Sequence, residues 1–404
     1  MTADFDVIVV GARCAGSPLA MLLARKGYRT LVVDRATFPS DTVSTHFLHA
    51  PAVASLHRWG LLESVLATGC PVSPGYSLDF GPISVAGTAR AVDGISCAYA
   101  PRRTRLDAIL VEAAGAAGAE IRQGFTVDEI LVEDGRVAGI RGRDENGSTT
   151  TERAAVVVGA DGSSSRVARA VDAPRYHEKP ALQSSHYTYW SNLPVDGMEI
   201  TIRPHRGWAA FRTNDDLTLL VVGWTHAEHA AYGRDVERNY LDTLELSPEF
   251  AERVRGATRE ERFYGAAVPN FFRQPYGPGW ALVGDAGYTK DPITAQGIGD
   301  AFADAQRCAD ALDASFSGRM PHADAMAAWH AARDGHALPI FDFTTTMATL
   351  EPPPPELQQL LGAMQGNQPA MDAFVSMLAG TVSPVEFFDP ANLAAIAGTA
   401  PVAL

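Results

Sequence analysis

Hydrophobic positions along this chain switch between the period of a strand and that of a helix. Val7-Ile8-Val9-Val10 is an unbroken β-branched run, as expected of a strand buried on both faces of a parallel sheet. Leu19, Leu22 and Leu23 then recur at helical spacing as far as Lys26, Gly27 closes the helix, and Thr30–Val33 gives a second strand ending in Asp34-Arg35. The first strand and helix are joined by Gly11-Ala12-Arg13-Cys14-Ala15-Gly16. This is the plan of a dinucleotide-binding βαβ unit. Gly11 makes the tight turn, Gly16 lets helix and strand approach, the helix N-terminus receives a pyrophosphate, and Asp34 stands where an acid meets the ribose. Arg13 replaces the middle glycine of that pattern, which would put a cation near the phosphates.

The pattern repeats downstream. Ala155–Val158 is a buried run followed by Gly159-Ala160-Asp161-Gly162-Ser163-Ser164-Ser165-Arg166, and Ala281-Leu282-Val283 is another, stopping at Gly284-Asp285. Beyond the second, Ile298, Phe302, Ala305, Ala309 and Leu312 mark one face of a helix that opens on Gln296-Gly297-Ile298-Gly299. Between these landmarks, 125–153 reads as a three-stranded meander with turns at Glu133-Asp134-Gly135 and Asn146-Gly147. Residues 101–119 read as a helix with Leu106, Ile109 and Leu110 inward, 38–69 as a loop and helix burying Leu56, Trp59 and Leu62, and 76–99 as a hairpin. The segment 171–275 differs: aromatic residues sit in alternating stretches (199–202, 208–212, 217–224), which predicts an antiparallel sheet with one face over a ligand and the other solvated. A helix near 236–244 and a strand near 263–267 complete it. After Gly318 a helix runs to about Phe343, Leu350–Pro355 breaks it, and short helices end near Leu404.

Composition narrows the choices. The chain has 404 residues, 46% hydrophobic and 20% charged, enough for two or three ordinary cores. A net charge of −14 argues against nucleic acid and anionic membranes. Cys14, Cys70, Cys97 and Cys308 are scattered without metal-ligand spacing, so neither a metal site nor a disulfide framework is expected. The N-terminus lacks a basic region before a long apolar run, and no apolar stretch nears the ~20 residues of a membrane span. A cytoplasmic location is the expectation.

The three glycine-bearing turns, in this order, resemble the FAD-dependent monooxygenases related to aromatic hydroxylases and to the geranylgeranyl reductase-like flavoproteins. Asp161-Gly162 resembles that family's "DG" motif, which helps hold FAD and shapes the path of NAD(P)H. The Gly284–Gly299 stretch resembles the second flavin motif: Asp285 is implied at the ribityl or pyrophosphate, Pro292 beside the reactive edge of the isoalloxazine, and Gln296, Gly297, Ile298 and Gly299 on its N1–O2 side. Arg103, followed by Leu106 and Leu110, resembles the helix whose leading arginine reaches the cofactor, with Arg102 and Arg105 close enough to take that place. The cofactor set is thus Gly11, Ala12, Arg13, Cys14, Ala15, Gly16, Asp34, Arg35, Arg103, Asp161, Gly162, Gly284, Asp285, Pro292, Gln296, Gly297, Ile298 and Gly299.

The implied fold is α/β, with a Rossmann-like FAD-binding domain (1–75, 97–172, 275–345) carrying a parallel sheet and β-meander. An antiparallel-sheet substrate domain (76–96, 173–274) and a helical C-terminal segment (346–404) complete it. Trp190, Trp208, Phe211 and Trp224 are candidates to line its substrate cavity. The implied activity is hydroxylation of an apolar or aromatic small molecule: NAD(P)H reduces the flavin, O₂ adds at C4a, and the hydroperoxide delivers one oxygen. No acid–base pair stands out. If the substrate is a phenol, His46, on the loop implied to pass over the flavin, and His186 are the bases to consider. The alternative is a reductase of isoprenoid double bonds, which 38–69 resembles but without that branch's loop cysteine. A halogenase would carry W-x-W-x-I-P and a lysine beyond the first βαβ unit; the motif is absent, and Lys179 and Lys290 do not match the context of that lysine. A flavoprotein without turnover is a further reading.

Overall fold

In the computed structural model, residues 4–232 and 235–398 are described. The chain opens with β1 (Phe5–Val10), α1 (Gly16–Arg25) and β2 (Thr30–Val33), then α2 (Ala50–Trp59) and a hairpin of β3 (Tyr76–Asp79) and β4 (Ser84–Gly87). Next come α3 (Arg103–Ala116), β5 (Glu120–Arg122), β6 (Thr126–Glu133), β7 (Arg136–Arg143) and β8 (Thr149–Gly159). The distal sheet is built from β9 (Gln183–Ser191), β10 (Met198–Arg203), β11 (Arg206–Arg212) and β12 (Thr218–Thr225), followed by α4 (Val236–Leu244) and α5 (Pro248–Arg255). The chain returns through β13 (Asn270–Arg273) and β14 (Trp280–Leu282) to α6 (Gly297–Phe316) and α7 (His322–Met347). Shorter helices, among them Pro355–Ala363 and Gln368–Leu378, close the described chain.

The parallel core runs β14-β8-β1-β2-β5. Its strands are apolar on both sides because both sides are covered: α1 and α6 pack on one face, the β6–β8 meander on the other. The third meander strand and the Ala155–Val158 run are one continuous strand, β8, whose outer half pairs with β7 and inner half with β1. Pairing in β1, β2, β8 and β14 is in register at the top: Val10 lies opposite both Val33 and Gly159, and Gly159 opposite Leu282. The loops after β1, β8 and β14 therefore leave the sheet at one level.

The second sheet runs β9-β12-β11-β10-β3-β4. It is antiparallel except where the β3–β4 hairpin joins, since Met198 of β10 pairs in parallel with Tyr76 of β3. The face expected to be solvated is covered, so each face is buried by something different. One face meets the loop before α2 and the C-terminal helices; the other packs on α4 and α5. α6 packs on α1, α2 and α7, and its Phe302 is fully buried with its ring 5.0 Å from that of Trp59. Phe302→Ala should lower unfolding free energy by about 3–5 kcal/mol, the usual cost of a buried Phe cavity, read as a shift in the urea midpoint of the purified protein.

Candidate functional site

A long cleft of about 570 Å³ lies above the aligned strand ends, within the ~300–1,000 Å³ of typical ligand pockets. It is bordered by Gly11, Arg13, Cys14, Ala15, Asp34, Arg35, Arg103, Asp161, Gly162, Asp285, Pro292, Gly297 and Ile298, so most of the proposed cofactor set meets in one place. Ala12, Gly16, Gly284 and Gly299 stand behind its wall. Gly16 is there for packing: a Cβ on it would run into the carbonyl oxygen of Gly11. Gly11 itself has φ +107°, and a Cβ would meet the Ala160 carbonyl.

Two helices start at the cleft, α1 and α6, and neither has a side-chain cap at its N-terminus. Their first N–H groups and dipole ends are left for an anion. Asp34 accepts from the Ala12 amide (2.7 Å) and the Ala36 amide (2.8 Å), which fixes the glycine loop while keeping lone pairs free toward the cleft. Asp161 accepts from the amides of Arg166 (2.6 Å) and Val167 (3.3 Å) through Oδ2, and its buried Oδ1 has no partner. Asp285 opens into the cleft, whose enclosing walls push its carboxyl upward against the pull of Arg103. Glycine turns, uncapped helix starts and an orphaned carboxylate oxygen fit FAD.

Several expectations need correction. Arg13 does not present a free cation: its guanidinium binds Asp107 and the Ser40 hydroxyl (2.8 Å) and lies over Phe38. Arg103 is the arginine of α3 that borders the cleft, held on Asp107 by two hydrogen bonds of 2.9 and 3.0 Å. Arg102 instead pairs with Glu261 and covers Tyr189, and Arg105 faces Asp215. Gln296 does not face the cleft; its amide donates to the Leu378 carbonyl (2.9 Å) of the C-terminal segment.

A second, narrower chamber of about 70 Å³ adjoins the cleft under the distal sheet. Thr45, Ser185, Pro292 and Ala295 border both spaces, so the Pro292 loop is their join. Tyr76, Ile200, Ala209, Phe211, Val221 and Met347 make its wall largely apolar. Phe211 points into this face, packed on Phe47 at 5.0 Å. Trp190 and Trp224 do not: side chains alternate along a strand, and these two lie on the other face, their N–H groups donating to the Tyr240 hydroxyl (3.4 Å) and the Thr243 hydroxyl (2.9 Å) of α4. Trp208 borders the chamber, yet its ring packs on Phe250 of α5 with that same outer cluster.

Neither candidate histidine reaches either space. His186 shares the outward parity of Trp190 and stacks on His229 (5.2 Å), and burial beside that second ring lowers its pKa. His46 is fully buried, in a left-handed conformation (φ 46°), with Nε2 on the Tyr189 hydroxyl (2.8 Å). Burial, with Arg103 and Arg102 nearby, pushes its pKa down to about 3, so it is neutral at working pH.

Sequence reading passed over two residues. His49 borders the chamber: Nε2 lies 3.0 Å from the Thr294 carbonyl and so donates, leaving Nδ1 to accept from the Tyr76 hydroxyl (2.8 Å). Burial pushes its pKa down to about 4, so this link is neutral. Asp291, just before Pro292, is the other, and the Asp-Pro pair at a turn was its only signal. Among the described residues no cluster could hold a metal ion, and no helix is long and apolar enough to cross a membrane.

Comparison with known proteins agrees with this geometry. A family model described as FAD binding domain matches residues 4–344. The chain is 27% identical to a tryptophan 2-halogenase of Chondromyces crocatus, over 95% of this chain and 77% of that one. It is 29% identical to a 6-methylpretetramide 4-monooxygenase of Streptomyces rimosus, over 74% of each. Among solved structures, the flavin-dependent brominase Bmp2 superposes with a TM-score of 0.80 at 20% identity, covering 98% of this chain and 97% of that one. Gly11→Ala should weaken FAD binding at least ~10-fold, equivalent to the ~1–2 kcal/mol of a displaced backbone donor, as followed by quenching of FAD fluorescence on titration with the purified protein.

Proposed function

The chain belongs to the FAD binding domain family and is an FAD-dependent oxidoreductase, and on that premise we propose that it is a monooxygenase. It would use NAD(P)H and O₂ to hydroxylate an apolar or aromatic small molecule. The observation that carries this reading is the join at Pro292 and Ala295, where a largely apolar chamber opens on the cleft that fits the cofactor. When bound, reduced FAD activates O₂ and supplies one oxygen atom. The protein's part is to hold the substrate and keep water out. His49, Tyr76 and Thr294 satisfy one another, so the chamber offers few free hydrogen-bonding groups to water.

The helix α6, through its uncapped N-terminus at Gly297 and Ile298, would help hold FAD and favour negative charge on it without an ionisable side chain. Arg103, locked by Asp107, supplies a fixed positive charge to the same cleft. Phe211, with Ile200 and Ala209, is suited to pack on a planar substrate.

A halogenase reading draws support from the relatives of that type. Against it, no lysine reaches the chamber: Lys26 is paired with Asp313, Lys179 with Asp342, and Lys290 with Asp300. The test is NAD(P)H oxidation and O₂ uptake by the FAD-loaded protein across a panel of phenols and polyketide-like aromatics, with and without chloride and bromide. Substrate-stimulated O₂ uptake with a hydroxylated product is expected. A halogenated product, formed only with halide and an external flavin reductase, would replace this reading with the halogenase. NAD(P)H oxidation with a saturated product and no O₂ incorporation would replace it with the reductase.

A further inference from the structure

Asp291 stands where the two spaces meet. It borders the cleft and immediately precedes Pro292, which borders both. The residue is 1% exposed. Its backbone N–H donates to Asn270 Oδ1 (2.7 Å), and its Oδ1 accepts from the Ile293 amide (3.0 Å) and from the side-chain amide of Gln183, which lines the chamber. Its other oxygen, Oδ2, is buried without a hydrogen-bond partner. A carboxylate locked on one oxygen and vacant on the other is built to hold a proton there.

The surrounding charges do not hold it ionised. Lys290, next in the chain, is committed to Asp300, and Arg103 to Asp107. Asp285 adds negative charge to the same cleft, Asn270 and Gln183 are uncharged, and His49 is neutral. Burial therefore dominates and pushes the Asp291 carboxyl up to about 7, against the pull of the donors on Oδ1. That value suits a group that must both accept and release a proton at neutral pH.

We propose that Asp291 is the acid–base residue of the reaction, its Oδ2 accepting the proton of a phenolic or enolic hydroxyl held at the join of chamber and cleft. The proposal rests on the monooxygenase reading. The substrate O–H bond breaks and its electron pair stays on that oxygen, which makes the conjugated carbon more nucleophilic toward the oxygen atom supplied from the cofactor. The proton rests on Oδ2. It returns to the substrate oxygen as the hydroxylated carbon gives up its own proton, which would go to the second oxygen atom of O₂, the one that leaves as water.

Asp291→Asn keeps the size and the Oδ1 acceptor but cannot titrate. Infrared difference spectra between pH 5 and 9 should reveal in the wild-type protein a protonated carboxyl component that disappears around neutral pH and that D291N lacks, whatever signal Asp285 and Asp304 add in both proteins. With FAD loaded and 4-nitrophenol as the probe, the visible phenolate band of the bound probe should require a pH higher by at least ~1 unit in D291N. Flavin absorbance should be the same in both proteins. An identical carboxyl titration in D291N, a wild type with no carboxyl titrating near neutrality, or identical probe titrations would overturn the assignment. The infrared readout needs neither flavin nor turnover. Failure to bind FAD, or to consume O₂ with any substrate, would thus count against the monooxygenase reading while the titration still decides Asp291.

Discussion

Everything in the cleft depends on the register of four parallel strands. Val10, Val33, Gly159 and Leu282 lie level across the sheet, so the chain leaves it at adjacent points on one edge. That brings the loops holding Gly11, Asp161 and Asp285 together although they are far apart in sequence. A parallel pair cannot slip by one residue without turning its apolar side chains over, and here both faces are covered, which pins the register. The tight approach of α1 to β1 follows from the same edge, since only glycine at 11 and 16 lets the helix start directly over the strand end. The helix dipole then points at the cleft because of where the strand stops, with no side chain needed.

This explains which parts of the molecule could be read from the sequence. The glycine turns are local devices: their residues carry the turn, the packing and the helix start within a few positions, so 11–16, 161–162 and 284–299 were legible as ligand-facing loops. The distal sheet was legible as a sheet, but the use of its faces was not. β9 carries aromatic or polar residues at both parities, and alternation divides Tyr187 and Tyr189 from His186 and Trp190 without saying which set sees the ligand. The answer depends on α4 and α5, which cover the outer face and supply the Tyr240 and Thr243 hydroxyls to Trp190 and Trp224. An aromatic cluster read as cavity lining is, for the most part, a second core.

The titratable groups show the same division. His46 and His186 attracted notice by residue type, yet His46 is fully buried on the Tyr189 hydroxyl and His186 faces away. Asp291 had little to distinguish it, because its environment is assembled from Asn270 and Gln183, which are distant in sequence. A carboxylate's character follows from how many donors and cations the fold brings to it. Asp107, also buried, receives Arg13 and Arg103, whereas Asp291 receives only neutral donors on one oxygen. Asp107 holds the loop and the arginine in place, whereas the vacant oxygen of Asp291 has no such partner.

The C-terminal segment gives the chamber its remaining wall. Met347, Leu350 and Leu378 border it, and Gln296, at the start of α6, is tied to the Leu378 carbonyl. The loop before α6 and the segment that closes the chamber thus share a hydrogen bond. The sheet wall is fixed by its backbone ladder, and the Pro292 loop by Asp291 and Asn270. Leu350 and Leu378 are buried, so the segment is packed against the chamber and not merely laid over it. The chamber's wall is therefore assembled from three parts of the chain: the sheet, the Pro292 loop and this segment.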